Sequence, residues 1–270
     1  MTASIEIQKQ AHDVYRLTLA RPEVHNAFDD TVISELSDAL SEIALASPRV
    51  LVLQAQGKSF SAGADLNWMK KSATYSIEEN RSDARALAGM LNQLNSFPCP
   101  TIASVQGAAL GGGVGLVACC DIALASTTAI FALTEVRLGL IPATISPFVL
   151  QAIGARQARR YFASAERFDA QTAQGIGLVH EVVAVDSLSD ATDKLISQLL
   201  QSSPDAQRKA RDLIDEVSPR SSDIDDKLLD DVANAIADAR ASAEGREGIS
   251  AFLEKRKPSW VPSRAYSTAF

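Results

Sequence analysis

Pro100-Thr101-Ile102-Ala103-Ser104-Val105-Gln106-Gly107-Ala108-Ala109-Leu110-Gly111-Gly112-Gly113-Val114-Gly115 is the stretch on which the fold turns. Its first six residues read as a β-rich run, Gln106-Gly107 as a turn, and Leu116-Val117-Ala118 as the apolar helix that the glycines open. Strand, turn and helix N-terminus in that order form the building unit of an α/β fold. Glycines at such a junction leave N–H groups unshielded, and the helix dipole adds partial positive charge, so a developing anion would be held there. Close packing explains a Gly-Gly-Gly run equally well, and the run alone does not choose between the two.

A second unit of the same kind lies upstream. Residues 49–54 read as a strand ending in Gln56-Gly57-Lys58, followed by Phe60-Ser61-Ala62-Gly63-Ala64-Asp65-Leu66. Small residues let a ligand approach the backbone, and Asp65 suits the start of a helix over Leu66-Asn67-Trp68-Met69-Lys70. Together the two segments supply one N–H each for a single oxyanion. Neither contains the phosphate-loop pattern Gly-x-x-x-x-Gly-Lys-Ser/Thr, and no Gly-x-Gly-x-x-Gly fingerprint follows a first βα turn.

Working outward, residues 14–19, 122–125 and 181–185 are further strand candidates alternating with helices, as in a sheet covered by helices. Asp29-Asp30 caps a helix to about residue 46, with Val32, Ile33, Leu36, Leu40 and Ile43 on one face. A second helix is expected over 78–94. After Ser203 the character changes: Pro204 opens a helical stretch, Ser218-Pro219 breaks it, and two more helical segments follow without a strand. Asp223, Asp225, Asp226, Asp230 and Asp231 crowd one of them, as a solvated face near a helix N-terminus does.

With 270 residues, 46% apolar and 22% charged, the chain has the composition of a folded globular protein. A net charge of −7 argues against nucleic acid and anionic membrane as partners. The longest uncharged apolar run, 107–120, is well short of the about 20 residues that cross a bilayer. The start Met1-Thr2-Ala3-Ser4-Ile5-Glu6 has no secretory pattern, so a cytoplasmic location is expected. Cys99, Cys119 and Cys120 lack metal or redox spacing and read as buried thiols, and His12, His25 and His180 are scattered, so no metal is expected. Glu135 follows the β-prone Ile130-Phe131-Ala132-Leu133, where partial burial would raise its pKa.

At several places the chain resembles the enoyl-CoA hydratase (crotonase) family. The matches are Arg21-Pro22-Glu23-Val24-His25-Asn26-Ala27-Phe28, Phe60-Ser61-Ala62-Gly63-Ala64-Asp65-Leu66, Ala109-Leu110-Gly111-Gly112-Gly113 and Cys120-Asp121-Ile122-Ala123. They continue through Phe131-Ala132-Leu133-Thr134-Glu135-Val136-Arg137-Leu138-Gly139-Leu140-Ile141-Pro142, Gly175-Ile176-Gly177-Leu178-Val179 and Glu247-Gly248-Ile249-Ser250-Ala251-Phe252-Leu253-Glu254-Lys255-Arg256. They stand in order across nearly the whole chain.

The resemblance implies an α/β fold, a crotonase-like spiral of ββα repeats with a C-terminal helical trimerisation region. Residues 1–203 would be the core that holds the CoA and catalytic sites, and 204–270 the oligomerisation region of a homotrimer or dimer of trimers. It implies the backbone N–H groups of Ala64 and Gly112 as an oxyanion hole and Glu135 as catalytic acid and base. Coenzyme A enters as part of the substrate, with no other cofactor, bound around Val24, His25, Ala27, Ala62, Ala64, Asp65 and Leu66. Lys255 either meets a CoA phosphate or is an ordinary surface lysine.

One departure stands out: a typical hydratase of the family has a second glutamate where this chain has Gly115. Glu135 is then expected to perform both proton transfers, or to be helped by a substrate carboxylate or ordered water, and the glycine to leave room for a longer or branched acyl group. In Ala143-Thr144-Ile145-Ser146-Pro147, where many relatives are glycine-rich, Thr144 and Ser146 could orient water or cap the next helix. These departures resemble the bacterial 3-methylglutaconyl-CoA hydratases of leucine catabolism. Their substrate's carboxylate needs a cation, for which Lys70, Lys71, Arg81 and Arg85 are candidates, while Trp68 suits a pocket wall. A Δ3,Δ2-enoyl-CoA isomerase, an isohexenylglutaconyl-CoA hydratase, and a noncatalytic RNA-binding scaffold using Arg156, Arg159, Arg160 and Arg167 are the alternatives.

Overall fold

The computed structural model describes residues 4–221, 224–264 and 266. Nine strands and ten helices are found among them. In chain order they are β1 (Ile5–Lys9), β2 (Val14–Leu19), α1 (Asp30–Leu45), β3 (Val50–Ala55), α2 (Leu66–Ser72), α3 (Ile77–Asn95), β4 (Thr101–Val105), β5 (Ala108–Leu110), α4 (Gly112–Cys119), β6 (Ile122–Ser126), β7 (Ile130–Ala132), α5 (Ser146–Ser164), β8 (Phe168–Asp169), α6 (Ala170–Gly175), β9 (Glu181–Val183), α7 (Leu188–Leu199), α8 (Pro204–Val217), α9 (Asp226–Ala241) and α10 (Ala243–Leu253).

The chain forms two compact units, 1–193 and 194–270, dividing inside α7. The change of composition at Ser203 falls later, at the residue whose hydroxyl caps α8 by accepting from Ala206 N–H.

In the first unit a six-stranded sheet runs β1-β2-β3-β4-β6-β9, parallel from β2 onward, with β1 antiparallel at its edge. Parallel strands are covered on both faces, and β2 and β4 are buried along their whole length. A second sheet, β5-β7-β8, is built from much shorter strands. Each turn of the chain visits both sheets and then a helix: β4, β5 and α4, then β6, β7 and the helical turn Glu135–Leu138 leading toward α5. The preceding turn does the same with one residue, since Ser61 bridges to Ala109 in parallel between β3 and α2. This is the spiral of ββα repeats that the family resemblance implies.

Asp29 caps α1 by accepting from Val32 N–H, and Val32, Ile33, Leu36, Leu40 and Ile43 are buried as their spacing requires. They pack toward Met90, Leu91 and Leu94 of α3, which starts in a capping box between Ser76 and Glu79. The three cysteines are buried, and none is in a disulfide among the described residues. In the second unit α10 packs on both α8 and α9. Asp225 caps α9, and Asp231 is paired with Lys227 and Arg220, so the acidic crowd serves a helix start and ion pairs. Asp223 lies outside the described residues, as do Ala265 and residues 267–270 of the tail. Among the described residues no helix is long and apolar enough to cross a membrane, and no cluster of His, Cys, Asp or Glu could hold a metal ion.

Candidate active site

Asn26 organises the front of the site. Its side-chain oxygen accepts from Arg21 N–H, and its amide donates to the carbonyls of Gln56 and Ser59 at 2.9 and 2.8 Å. The loop before α1 is thereby stitched to the loop after β3. Ala62 N–H then donates to His25 carbonyl, Phe28 N–H to Gly63 carbonyl and Asp65 N–H to Phe28 carbonyl. Phe28 and Ala64 form a parallel bridge in which Phe28 uses the carbonyl before Ala64 and the amide after it. Ala64's own N–H therefore faces away from that bridge, and it meets no acceptor among the described residues.

Gly112 N–H, at the first turn of α4, also has no acceptor among the described residues. The glycines beside it answer separate demands. Gly111 has φ +50°, and a Cβ there would lie 3.2 Å from Glu135 Oε1. At Gly112 a Cβ would meet the Phe28 ring at 2.7 Å, and at Gly113 the Ser61 carbonyl at 2.8 Å. Close packing and exposed N–H groups thus coexist in one run.

Glu135 opens a helical turn after β7, with its carboxylate against the Gly111 α-carbon. Burial pushes its pKa above the usual carboxylate value, opposed only by a hydrogen bond from its own backbone N–H. Its Oε2 is buried and has no hydrogen-bond partner. A buried carboxylate oxygen without a partner at the Gly111-Gly112 turn, together with two amides left unused, offers the chemical groups of a base and an anion cradle.

The other candidate residues fall into groups. Val24, His25, Ala27, Ala62, Ala64, Asp65 and Leu66 are brought together by the stitched loops, with Leu66 73% exposed. Asp65 is committed to structure: its carboxylate accepts from Asn67 and Trp68 N–H at the start of α2 and lies 3.6 Å from Arg21. Lys255 lies in the second unit, exposed, with φ +55° after α10. Trp68 packs against the core and donates its indole N–H to Asp83. Lys71 pairs with Asp30 at 3.0 Å and Arg81 approaches Glu78 at 3.9 Å, while Lys70 and Arg85 are exposed with no ion-pair partner among the described residues. Ser146 donates its hydroxyl to Ala143 carbonyl, and the residue at the N-cap of α5 is Ile145, so Ser146 does not cap the helix.

The expectation that Gly115 leaves room for an acyl group is overturned. A Cβ there would lie 2.3 Å from Ile145 Cγ2, so the place is already filled. Ile145, Phe28 and Asn26 shape the site without having been assigned roles from sequence. Only the Asn26-Ala27-Phe28 match pointed near two of them.

The family model described as enoyl-CoA hydratase/isomerase matches residues 9–263. An enoyl-CoA hydratase from Shewanella pealeana superposes with TM-score 0.91 at 44% identity, covering 95% of this chain and 96% of the other. The 2,3-dehydroadipyl-CoA hydratase of Escherichia coli is 33% identical over 91% of this chain and 94% of its own length. The enoyl-CoA isomerase/hydratase fer4 of Mycosarcoma maydis is 30% identical over 91% of each. A match of this extent, on a fold and a glycine-lined carboxylate site of this kind, shows that the chain belongs to the enoyl-CoA hydratase/isomerase, or crotonase, family of enzymes.

Proposed function

We propose that the protein hydrates a 2-enoyl-CoA thioester, with Ala64 and Gly112 N–H as the oxyanion hole and Glu135 as the acid and base. The observation that carries this reading is the buried, partnerless Oε2 of Glu135 beside the Gly111-Gly112 turn. The thioester oxygen would accept from both amides. Glu135 removes a proton from water as its oxygen bonds to the β-carbon, and the double-bond electrons move toward the thioester oxygen as an enolate. The enolate then takes the proton from Glu135 at the α-carbon, and the carboxylate is restored. Each preorganised donor at such an oxygen lowers a barrier by about 3 kcal/mol.

The acyl group we favour is 3-methylglutaconyl, on the sequence departures at 115 and 143–147 and on cations left for a substrate carboxylate. Lys70 and Arg85 are the candidates without an ion-pair partner among the described residues. The E. coli relative's named substrate is also a dicarboxylic acyl-CoA. Coenzyme A would lie along the loops around Val24, His25, Ala27, Ala62, Ala64, Asp65 and Leu66, with Lys255 near a phosphate, in a trimer or dimer of trimers in the cytoplasm. Family membership favours catalysis over the noncatalytic scaffold. Isomerisation is the second reading, because Glu135 has no second carboxylate at 115 and a relative is named isomerase/hydratase.

A panel of 2-enoyl-CoA and 3-enoyl-CoA thioesters separates the two. Loss of the conjugated absorbance with a 3-hydroxyacyl-CoA product supports hydration. Interconversion of double-bond isomers without a hydroxy product overturns it. The highest kcat/KM should fall on 3-methylglutaconyl-CoA rather than on isohexenylglutaconyl-CoA or an unbranched enoyl chain.

A further inference from the structure

Gly111 is the N-cap of α4 and Gly115 lies one turn further on, its N–H donating to the Gly111 carbonyl at 3.3 Å. Two groups from elsewhere pack on these two glycines. The Glu135 carboxylate covers Gly111, with Oε1 3.2 Å from the place of a Cβ. Ile145 covers Gly115, with Cγ2 at 2.3 Å and Cβ at 3.0 Å from the equivalent place, and Leu91 stands behind at 3.7 Å. Both α4 and the turn Glu135–Leu138 pack on α5, whose N-cap is Ile145. Ile145 is 1% exposed and Leu91 fully buried, so what covers Gly115 is hydrocarbon.

We propose that Ile145 is a positioning residue for Glu135: packed on Gly115, one turn from the glycine that the carboxylate touches, it leaves no space for a side chain at 115, keeps solvent from that side of the carboxylate, and leaves Glu135 alone to move protons. The inference rests on the assignment of Glu135 as the acid and base. Oε2 of Glu135 is buried without a partner, a state that a hydrocarbon neighbour maintains and a hydroxyl or water would end. No ionisable side chain takes part in the upward shift of Glu135. Helix α4 has no Asp, Glu, Lys, Arg or His, α5 has none before Arg156, α3 presents Leu91, and Arg137 on the turn itself is exposed. Dehydration by apolar neighbours is what remains to hold the carboxyl.

Valine and threonine have nearly the same shape, so Ile145→Val and Ile145→Thr differ in a methyl against a hydroxyl. The infrared band of the protonated Glu135 carboxyl, identified by its loss in Glu135→Gln, can be titrated in the full chain without substrate. Ile145→Thr should move the titration to lower pH by about half a unit relative to Ile145→Val, roughly threefold in the protonation constant. Coincident titrations overturn the inference. Should the threonine variant not fold, thermal melting of an alanine pair decides. Gly115→Ala should lower Tm, and Ile145→Ala in the same chain should recover most of that loss. Additive losses in the pair would show that Ile145 does not own this space. Neither measurement needs turnover, so a protein that converts no enoyl-CoA sinks the proposed reaction and leaves these readouts standing. Normal hydration with an unmoved titration sinks this inference alone.

Discussion

Glu135 is held in a state that favours chemistry and opposes folding. Its folded pKa is raised above the ordinary 4.5 by burial, so the folded protein binds that proton more tightly than the unfolded chain. The resulting stability is fully present below pH about 4.5 and is lost as pH rises through the raised value. At neutral pH the ionised carboxylate therefore works against the fold. Glu135→Gln should lower hydration by about 10²–10⁴-fold, since the acid and base are lost together. The same substitution should raise Tm at neutral pH by on the order of 2 °C and give no gain near pH 4. A variant that is inactive and also less stable at neutral pH would show that Glu135 is a structural carboxylate. In the native enzyme the rate should climb with pH through the raised value, because the base must be ionised to accept water's proton. The partial burial of Glu135 and its raised pKa were legible from its place after an apolar strand. The filling of position 115 was not legible, because the contact of Ile145 with Gly115 joins positions thirty residues apart and follows from how α5 lies on α4.

At the scale of elements, the long pieces were legible and the short ones were not. Strands β2, β3, β4 and β6 are mostly apolar runs of five or six residues, and α1 shows its buried face in the spacing of Val32, Ile33, Leu36, Leu40 and Ile43. The second sheet rests on strands of two or three residues, too short to show a period of two. Yet that sheet sets the site, since Ser61 N–H donates to Ala108 carbonyl and Leu110 N–H to Ser61 carbonyl, tying the Ala64 loop to the glycine run. Helix α2 holds the other side of that loop through its Asp65 cap. Asp65→Ala should cost about 1–2 kcal/mol, as cap losses do, and also lower kcat, because the turn carrying Ala64 N–H loses its anchor to Asn67, Trp68 and Arg21. Asp65→Asn should keep most of both, since an amide oxygen still caps. Melting and kcat measured on the two variants check this, and equal losses in both would assign the effect to charge instead of capping.

Across the whole molecule, polar groups inside an apolar frame are tied down where elements meet, and the ties predict where the frame is vulnerable. Arg16 is 6% exposed in the middle of β2, on the face it shares with Val14 and Thr18 and buried like the rest of the strand. Its guanidinium is shared among Gln10, Gln54 and Asp193 of α7. Asp193→Ala leaves that cation buried without its counter-charge and should destabilise the protein by about 3–5 kcal/mol, whereas replacing the pair together with apolar residues should cost far less. Chemical unfolding of the two variants measures the difference. The second unit raises the opposite problem, too much apolar surface left open: Ile214, Leu229, Ile236, Phe252 and Leu253 are between 50% and 82% exposed. Each such side chain is worth about 1.5–3 kcal/mol when fully buried, so helices bearing several are stable and soluble when they meet copies of themselves. Sedimentation of the intact protein should give three or six times the chain mass at about 10 μM, with dissociation on dilution governed by mass action. Phe252→Glu combined with Leu253→Glu places two charges on that surface and should shift the mass toward a single chain or break a hexamer into trimers, without touching Glu135. A native chain that sediments alone, or an assembly indifferent to the two charges, would place the contact between copies on some other face.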